Sequence, residues 1–240
     1  MILVKNIEKK FGKHHVLKNI SLDIQQGKIT AIVGPNGSGK TTIIKSILGL
    51  VKPDSGDILI NGRTILGDHL YRKNIGYMPQ TASFPENLTV KEVIKMIADL
   101  RNQSLDINPN LIEILNLIPE MDKQIKNLSG GNKQKLSACI ALIFNPSIII
   151  LDEPTAGLDP VASSNFKQRI LEERMIGKTI ILTSHIMNEI EELADNILFL
   201  IDGKIVFDGE VKDLIQSSGE SKLEKAIANM ITENTNGTYN

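Results

Sequence analysis

The chain has 240 residues, with 27 Lys and Arg against 28 Asp and Glu, a formal charge of −1 and a pI near 6.4. So balanced a charge provides no field to attract a polyanion or an anionic bilayer, and nucleic acid is not an expected partner. The single cysteine, Cys139, excludes an internal disulfide framework and fits a reducing cytoplasm, while the length allows one domain carrying an inserted subdomain.

Residues 1–30 predict short strands at 2–4, 16–17 and 21–24, parted by turns at Gly12 and Gln26-Gly27. His14-His15 falls in a turn with no further ligand types nearby, so a metal site is not expected there. An apolar run, Ile29–Val33, reads as a buried strand. It leads into Gly34-Pro35-Asn36-Gly37-Ser38-Gly39-Lys40-Thr41, followed by Thr42 and a helix over 42–50. Strand, glycine-rich loop and helix in this order make a phosphate-binding loop. The glycines let successive N–H groups converge on one anion, and the helix N-terminus adds partial positive charge. Lys40 is then placed for the β- and γ-phosphates of a nucleoside triphosphate, and the Thr41 hydroxyl for Mg²⁺.

Pro53-Asp54-Ser55-Gly56 reads as a turn, and 57–62 and 75–80 as strands, the second broken at Pro79. From 90 to 145 the period becomes helical, with Val93, Ile94, Ile97 and Leu100 on one face and Leu111, Ile112, Leu115 and Ile118 on another. Cys139 lies in an apolar helix and reads as packing. Strands and helices then alternate: strands at 148–151, 179–183 and 197–200, helices at 161–175 and 186–194. That rhythm implies a largely parallel sheet with covering helices. The charges clustered over 188–192 read as a solvated helix face. Residues from about 217 are polar apart from an amphipathic stretch at 223–231, and 233–240 read as disordered.

No apolar stretch reaches the length of a membrane span, and Met1-Ile2-Leu3-Val4-Lys5 lacks the regions of a signal peptide. The expectation is a soluble chain that meets a membrane only through a partner.

Two further strings narrow the reading. Asn127-Leu128-Ser129-Gly130-Gly131-Asn132 opens a helical segment, and Ile148-Ile149-Ile150-Leu151-Asp152-Glu153-Pro154-Thr155-Ala156-Gly157-Leu158-Asp159-Pro160 follows about twenty residues later. An aspartate ending a buried apolar strand is held rigidly enough to orient Mg²⁺-bound water, which suits Asp152, and Glu153 beside it can act as general base. Ser129, Gly130 and Gly131 offer a second anion site at a helix N-terminus, or a helix cap.

With the phosphate loop, these strings resemble the ABC ATPase family over about residues 2–214. The resemblance implies an α/β fold: a phosphate-loop NTPase core, an N-terminal antiparallel β subdomain, and a helical subdomain inserted at about 84–145. The ATPase domain then spans 1–215, and 216–240 is a partly disordered tail. It implies ATP and Mg²⁺ as cofactors, Gln80 as the Q-loop glutamine, catalytic and also reaching the metal with Thr41 and Asp152, and His185 as the switch histidine, which approaches the γ-phosphate and is catalytic with Glu153. Phe11 takes the place of the adenine-stacking aromatic, usually Tyr. Gly34 to Thr42 hold the nucleotide from one subunit, Ser129, Gly130 and Gly131 complete the pocket from a second, and Asp159 in the D-loop is a further nucleotide-binding residue. The family usually carries Gln where this chain has Asn132, which implies altered tuning with the phosphate-binding residues intact.

A dimer sandwiching two ATP molecules follows from the resemblance, either a homodimer or a heterodimer with a related subunit. The foremost expectation is the ATPase subunit of a transporter, cytoplasmic and attached to the inner face of the cell membrane by permease subunits. A soluble ATPase in cofactor assembly is the alternative. A phosphate-loop kinase or GTPase would explain neither the Ser129 string nor the Asp159 string. The stretch from Ile75 to Thr89 looks export-type and is similar to the ATPase of the copper-linked nitrous oxide reductase maturation system.

Overall fold

The computed structural model describes residues 1–103 and 109–236. Two long strands, β1 (Ile2–Phe11) and β2 (His14–Ile24), open the chain as a hairpin. They replace the separate short strands expected there, because bulges between Val4 and Lys10 let both strands continue through polar residues. His14 and His15 consequently begin β2 and are not in the turn, which is Gly12-Lys13.

β3 (Ile29–Val33) leads to α1 (Lys40–Ile47), and β4 (Ser55–Ile60) and β5 (Arg63–Thr64) follow. After β6 (Ile75–Met78) come three helices, α2 (Val90–Arg101), α3 (Pro109–Ile114) and α4 (Gly130–Leu142). Strand and helix then alternate through β7 (Ile148–Asp152), α5 (Pro160–Met175), β8 (Thr179–Thr183), α6 (Met187–Leu193), β9 (Asn196–Ile201) and β10 (Lys204–Glu210), ending with α7 (Val211–Ser217) and α8 (Leu223–Asn236).

The strands form an antiparallel sheet ordered β2-β1-β4-β5 and a second sheet ordered β10-β9-β3-β8-β7-β6. In the second, every pairing from β9 to β6 is parallel, and β10 alone is antiparallel. Its central strands are buried on both faces, which is why they read as unbroken apolar runs. Alternate residues serve two cores. Ile149 and Leu151 join Phe166, Ile190 and the α4 residues Leu136 and Cys139 on one face. Ile148 and Ile150 join Ile43, Ile44 and Ile47 of α1 and the apolar residues of the antiparallel sheet on the other. Cys139 is fully buried, as its packing role requires.

β6 and β7 are sheet neighbours, so α2, α3 and α4 form one long excursion between adjacent parallel strands. Thr89 and Glu92 cap α2 reciprocally, satisfying two N–H groups at its start. Two expected face residues are not in the core: Leu100 is 76% exposed at the end of α2, and Ile118 lies beyond α3 in a 3-10 turn and is 57% exposed.

The C-terminal stretch is also more ordered than its composition suggests. α8 runs from 223 through 236, so residues 233–236 continue a helix where disorder was expected. Leu223, Ala226 and Ile227 are buried in the same core as α6, and the Leu223 N–H donates to Glu191 of that helix at 3.3 Å. The expected disorder at 237–240 falls outside the described residues. Among the described residues no helix is long and apolar enough to cross a membrane.

Candidate active site

β3, β7 and β8 are adjacent and parallel, so the loops that leave them gather at one edge of the sheet, the usual place for a ligand in an open α/β fold. The loop after β3 is the glycine-rich string. Gly34, Gly37 and Gly39 all have positive φ, at 152°, 82° and 111°. A Cβ on Gly34 would meet the Leu200 carbonyl oxygen at 2.2 Å, so the backbone can pass there only as glycine. Gly39 caps α1 without a side-chain acceptor, leaving the first N–H groups of that helix for a ligand.

Lys40 is buried and folds back on its own loop, its ammonium donating to the Gly34 and Pro35 carbonyls at 2.7 and 3.1 Å. Burial holds that ammonium below its usual pKa, against the opposing pull of Glu153 and then Asp152. It is a desolvated cation resting on weak acceptors, ready to exchange them for a stronger anion.

Asp152 ends β7, buried, and receives the Thr183 hydroxyl on Oδ1 at 2.6 Å. The register pairs Asp152 with Thr183, so the last residues of two parallel strands brace each other. Glu153 follows in the left-handed region at φ 57°, a strained setting for a residue with a side chain. Its N–H donates to the Thr183 carbonyl at 3.2 Å and the Thr183 hydroxyl at 3.1 Å, which holds the turn. The turn sends the carboxylate to within 2.9 Å of His185 Nε2. Desolvation pushes the Glu153 carboxyl above its ordinary pKa. His185 opposes that shift, Asp152 adds to it, and Lys40 opposes it.

Lys40, Thr41, Thr42, Asp152, Glu153, His185 and Gln80 line one cavity of about 300 Å³, with Asn36, Gly37 and Gly39 from the loop. Gln80 arrives from the end of β6 and is exposed there. Gly34, Pro35 and Ser38 belong to the same loop but are not in the lining. Phe11 is not in the lining. It is 51% exposed at the hairpin end, directly across from His14, which does line the cavity with Val16.

The remaining expected residues form a second cluster outside that cavity. Ser129 caps α4, accepting the Asn132 N–H at 3.2 Å, and Asp159 caps α5, accepting the Ala162 N–H at 2.8 Å. Lys135 of α4 bridges to Asp159 at 2.9 Å. The Ala162 N–H, then Lys135, hold the Asp159 carboxyl below its usual range. Gly131 lies so close to the loop at Gly157 that a Cβ would be 2.8 Å from the Gly157 carbonyl oxygen. The two strings flanking α4 and α5 thus make one surface, with the Gly130 Cα facing open space.

Sequence reasoning missed four residues here: Thr183, His14, Lys135 and Glu189. Thr183 was in view within Thr183-Ser184-His185, but its partner depended on strand register. Glu189 reads from the sequence as one of the solvated charges of 188–192, yet it is buried and accepts the hydroxyls of Thr155 at 2.6 Å and Ser184 at 3.0 Å. Its spacing from Ile186 and Leu193 puts it on the apolar stripe of α6, and that was the available signal.

The family model for ABC transporters matches residues 17–156. The lantibiotic transport ATP-binding protein SrtF of Streptococcus pyogenes is 35% identical over 234 residues, covering 96% of this chain and 97% of that protein. A solved ATP-binding subunit of an ABC transporter superposes with a TM-score of 0.90 at 29% identity, covering 96% of this chain and 99% of that one. The ATP-binding cassette MJ0796, solved as a dimer in a post-hydrolysis state with ADP and Pi, gives a TM-score of 0.78 at 27% identity over 88% of this chain and 98% of its own. The chain belongs to the ABC transporter family, as an ATP-binding, ATP-hydrolysing subunit.

Proposed function

We propose that this subunit closes on MgATP as a dimer and transmits that closure to membrane-spanning permease subunits at the inner face of the cell membrane, in an export-type transporter. The observation that carries the reading is the single cavity that Lys40, Gln80, Asp152, Glu153 and His185 share with the glycine-rich loop, although they come from four separate parts of the chain. In this reading the loop N–H groups and Lys40 take the phosphates, and the exposed Phe11 ring at the hairpin end takes the base, next to the His14 and Val16 side of the cavity. Glu153 accepts the proton of the attacking water, and His185 holds the carboxylate and approaches the γ-phosphate.

The donor set suits Mg²⁺. Thr41, Gln80 and Asp152 offer oxygen only, and Asp152 is a buried carboxylate with one hydroxyl on Oδ1. Among the described residues no group of three His, Cys, Asp or Glu side chains could hold a metal. Bound there, it would neutralise phosphate charge.

Ser129, Gly130, Gly131 and Asp159 serve the partner subunit's nucleotide. Their placement outside the cavity of their own chain, on a surface with open space above Gly130, supports this in-trans role. The SrtF relative favours transport over soluble cofactor assembly, and favours it over the copper-linked maturation reading. Light scattering of Glu153→Gln tests the dimer. ATP should convert a 26.5 kDa species to one of twice that mass, whereas a mass that ATP leaves unchanged overturns the closure mechanism.

A further inference from the structure

We propose that Glu189 is a positioning residue for ATP hydrolysis: its buried carboxyl ties the segment leaving β7 to the segment leaving β8, and so fixes the separation of Glu153 and His185. The proposal rests on the roles given above to those two residues. Each Glu189 oxygen takes one hydroxyl, Oε1 from Thr155 at 2.6 Å and Oε2 from Ser184 at 3.0 Å. Thr155 lies two residues beyond Glu153, and Ser184 immediately precedes His185. Ser184 Oγ also accepts the Ile186 N–H at 3.0 Å, so its hydroxyl brackets His185 on both sides.

The need for such a tie is visible in the backbone. Glu153 sits at φ 57°, and Thr183 holds its N-terminal side. On the other side its carbonyl accepts only the local Ala156 N–H at 3.2 Å, and the tie to another part of the chain is Glu189 through Thr155. Filling the core does not explain a carboxyl here. Ile190 and Leu193 of α6 are buried beside it, and an apolar side chain would fill that space without a desolvation cost. Nor would an amide serve equally: a Gln presents an acceptor oxygen to only one of the two hydroxyls and turns its NH₂ toward the other, reversing that bond.

The test is steady-state phosphate release by the full chain across ATP concentrations, with thermal unfolding of each variant. Glu189→Ala should lower kcat about ten- to a hundredfold with KM changed by less than about threefold. Glu189→Gln, which keeps one of the two acceptors, should fall between Ala and wild type. Thr155→Val and Ser184→Ala each cut one arm, and each should reproduce part of the loss if Glu189→Ala does not fold. In a Glu153→Gln background, Glu189→Ala should cost a much smaller fraction of the residual rate, because only the placement of His185 is left for it to act on. Wild-type kcat in folded Glu189→Ala, or the same fractional loss in both backgrounds, overturns the proposal. A Glu153→Gln variant of wild-type rate would instead overturn the assignment of Glu153 on which it rests.

Discussion

Replacing Glu153 by Gln separates what this carboxylate does for catalysis from what it costs the fold. The side chain keeps its length, and the amide oxygen can still sit 2.9 Å from His185 Nε2, so charge and basicity change with little change of shape. Loss of a positioned general base costs about 10²- to 10⁴-fold in turnover, or roughly 2.7–5.5 kcal/mol of barrier. Stability should move the other way. Desolvation raises the folded-state carboxyl above its usual 4.5, and Asp152 adds to this, against His185 and Lys40. A carboxyl with a raised folded pKa contributes stability that is fully present below the unfolded pKa and lost as pH rises through the folded one. At neutral pH the ionised side chain is therefore a net cost that Gln does not carry. Glu153→Gln should match or exceed wild type in Tm at neutral pH, and the gap should close as pH falls toward 4.5. Phosphate release at saturating MgATP and thermal unfolding over a pH series measure both. Turnover within about threefold of wild type refutes the base assignment, and a lower Tm at neutral pH refutes the electrostatic reasoning.

MgATP at a hundredfold over its Kd should add about 2.7 kcal/mol, or roughly 5–10 °C in Tm for a chain of this size. Lys40→Ala should lose that shift, and an undiminished one would remove Lys40 from the phosphate site. Ser129→Arg should block ATP-driven dimerisation while nucleotide affinity of the monomer holds, as fluorescent-nucleotide titration and light scattering would report. Mixing it with Lys40→Ala subunits leaves one pocket free of both lesions, so partial hydrolysis should return; normal hydrolysis by Ser129→Arg alone refutes the in-trans site. Leu223 is fully buried at the start of α8, and Leu223→Ala should cost about 2–5 kcal/mol in chemical denaturation. An unchanged midpoint would mean that α8 is not docked.

The features legible in the sequence were those whose physics is local. A glycine-rich string at 34–41, from the end of an apolar strand into the start of a helix, carries its phosphate chemistry in glycine conformations and one lysine, and Asp152 announces itself by ending a run of five buried residues. Ser129 was readable as a helix cap for the same reason, whereas the cap that Asp159 makes on α5 came from the structure. What tertiary structure decided was which of these residues meet, and in what company. Strand register pairs Thr183 with Asp152, and the parallel order of β3, β8 and β7 brings Lys40, Glu153 and His185, far apart in the chain, to one cavity. Burial of Glu189 and docking of α8 were hidden because both depend on what another segment supplies: two hydroxyls in one case, the exposed flank of α6 in the other. A charge or a short amphipathic stretch reads as solvated until a distant part of the chain provides its partner, and that partner is set by topology, which local composition does not encode.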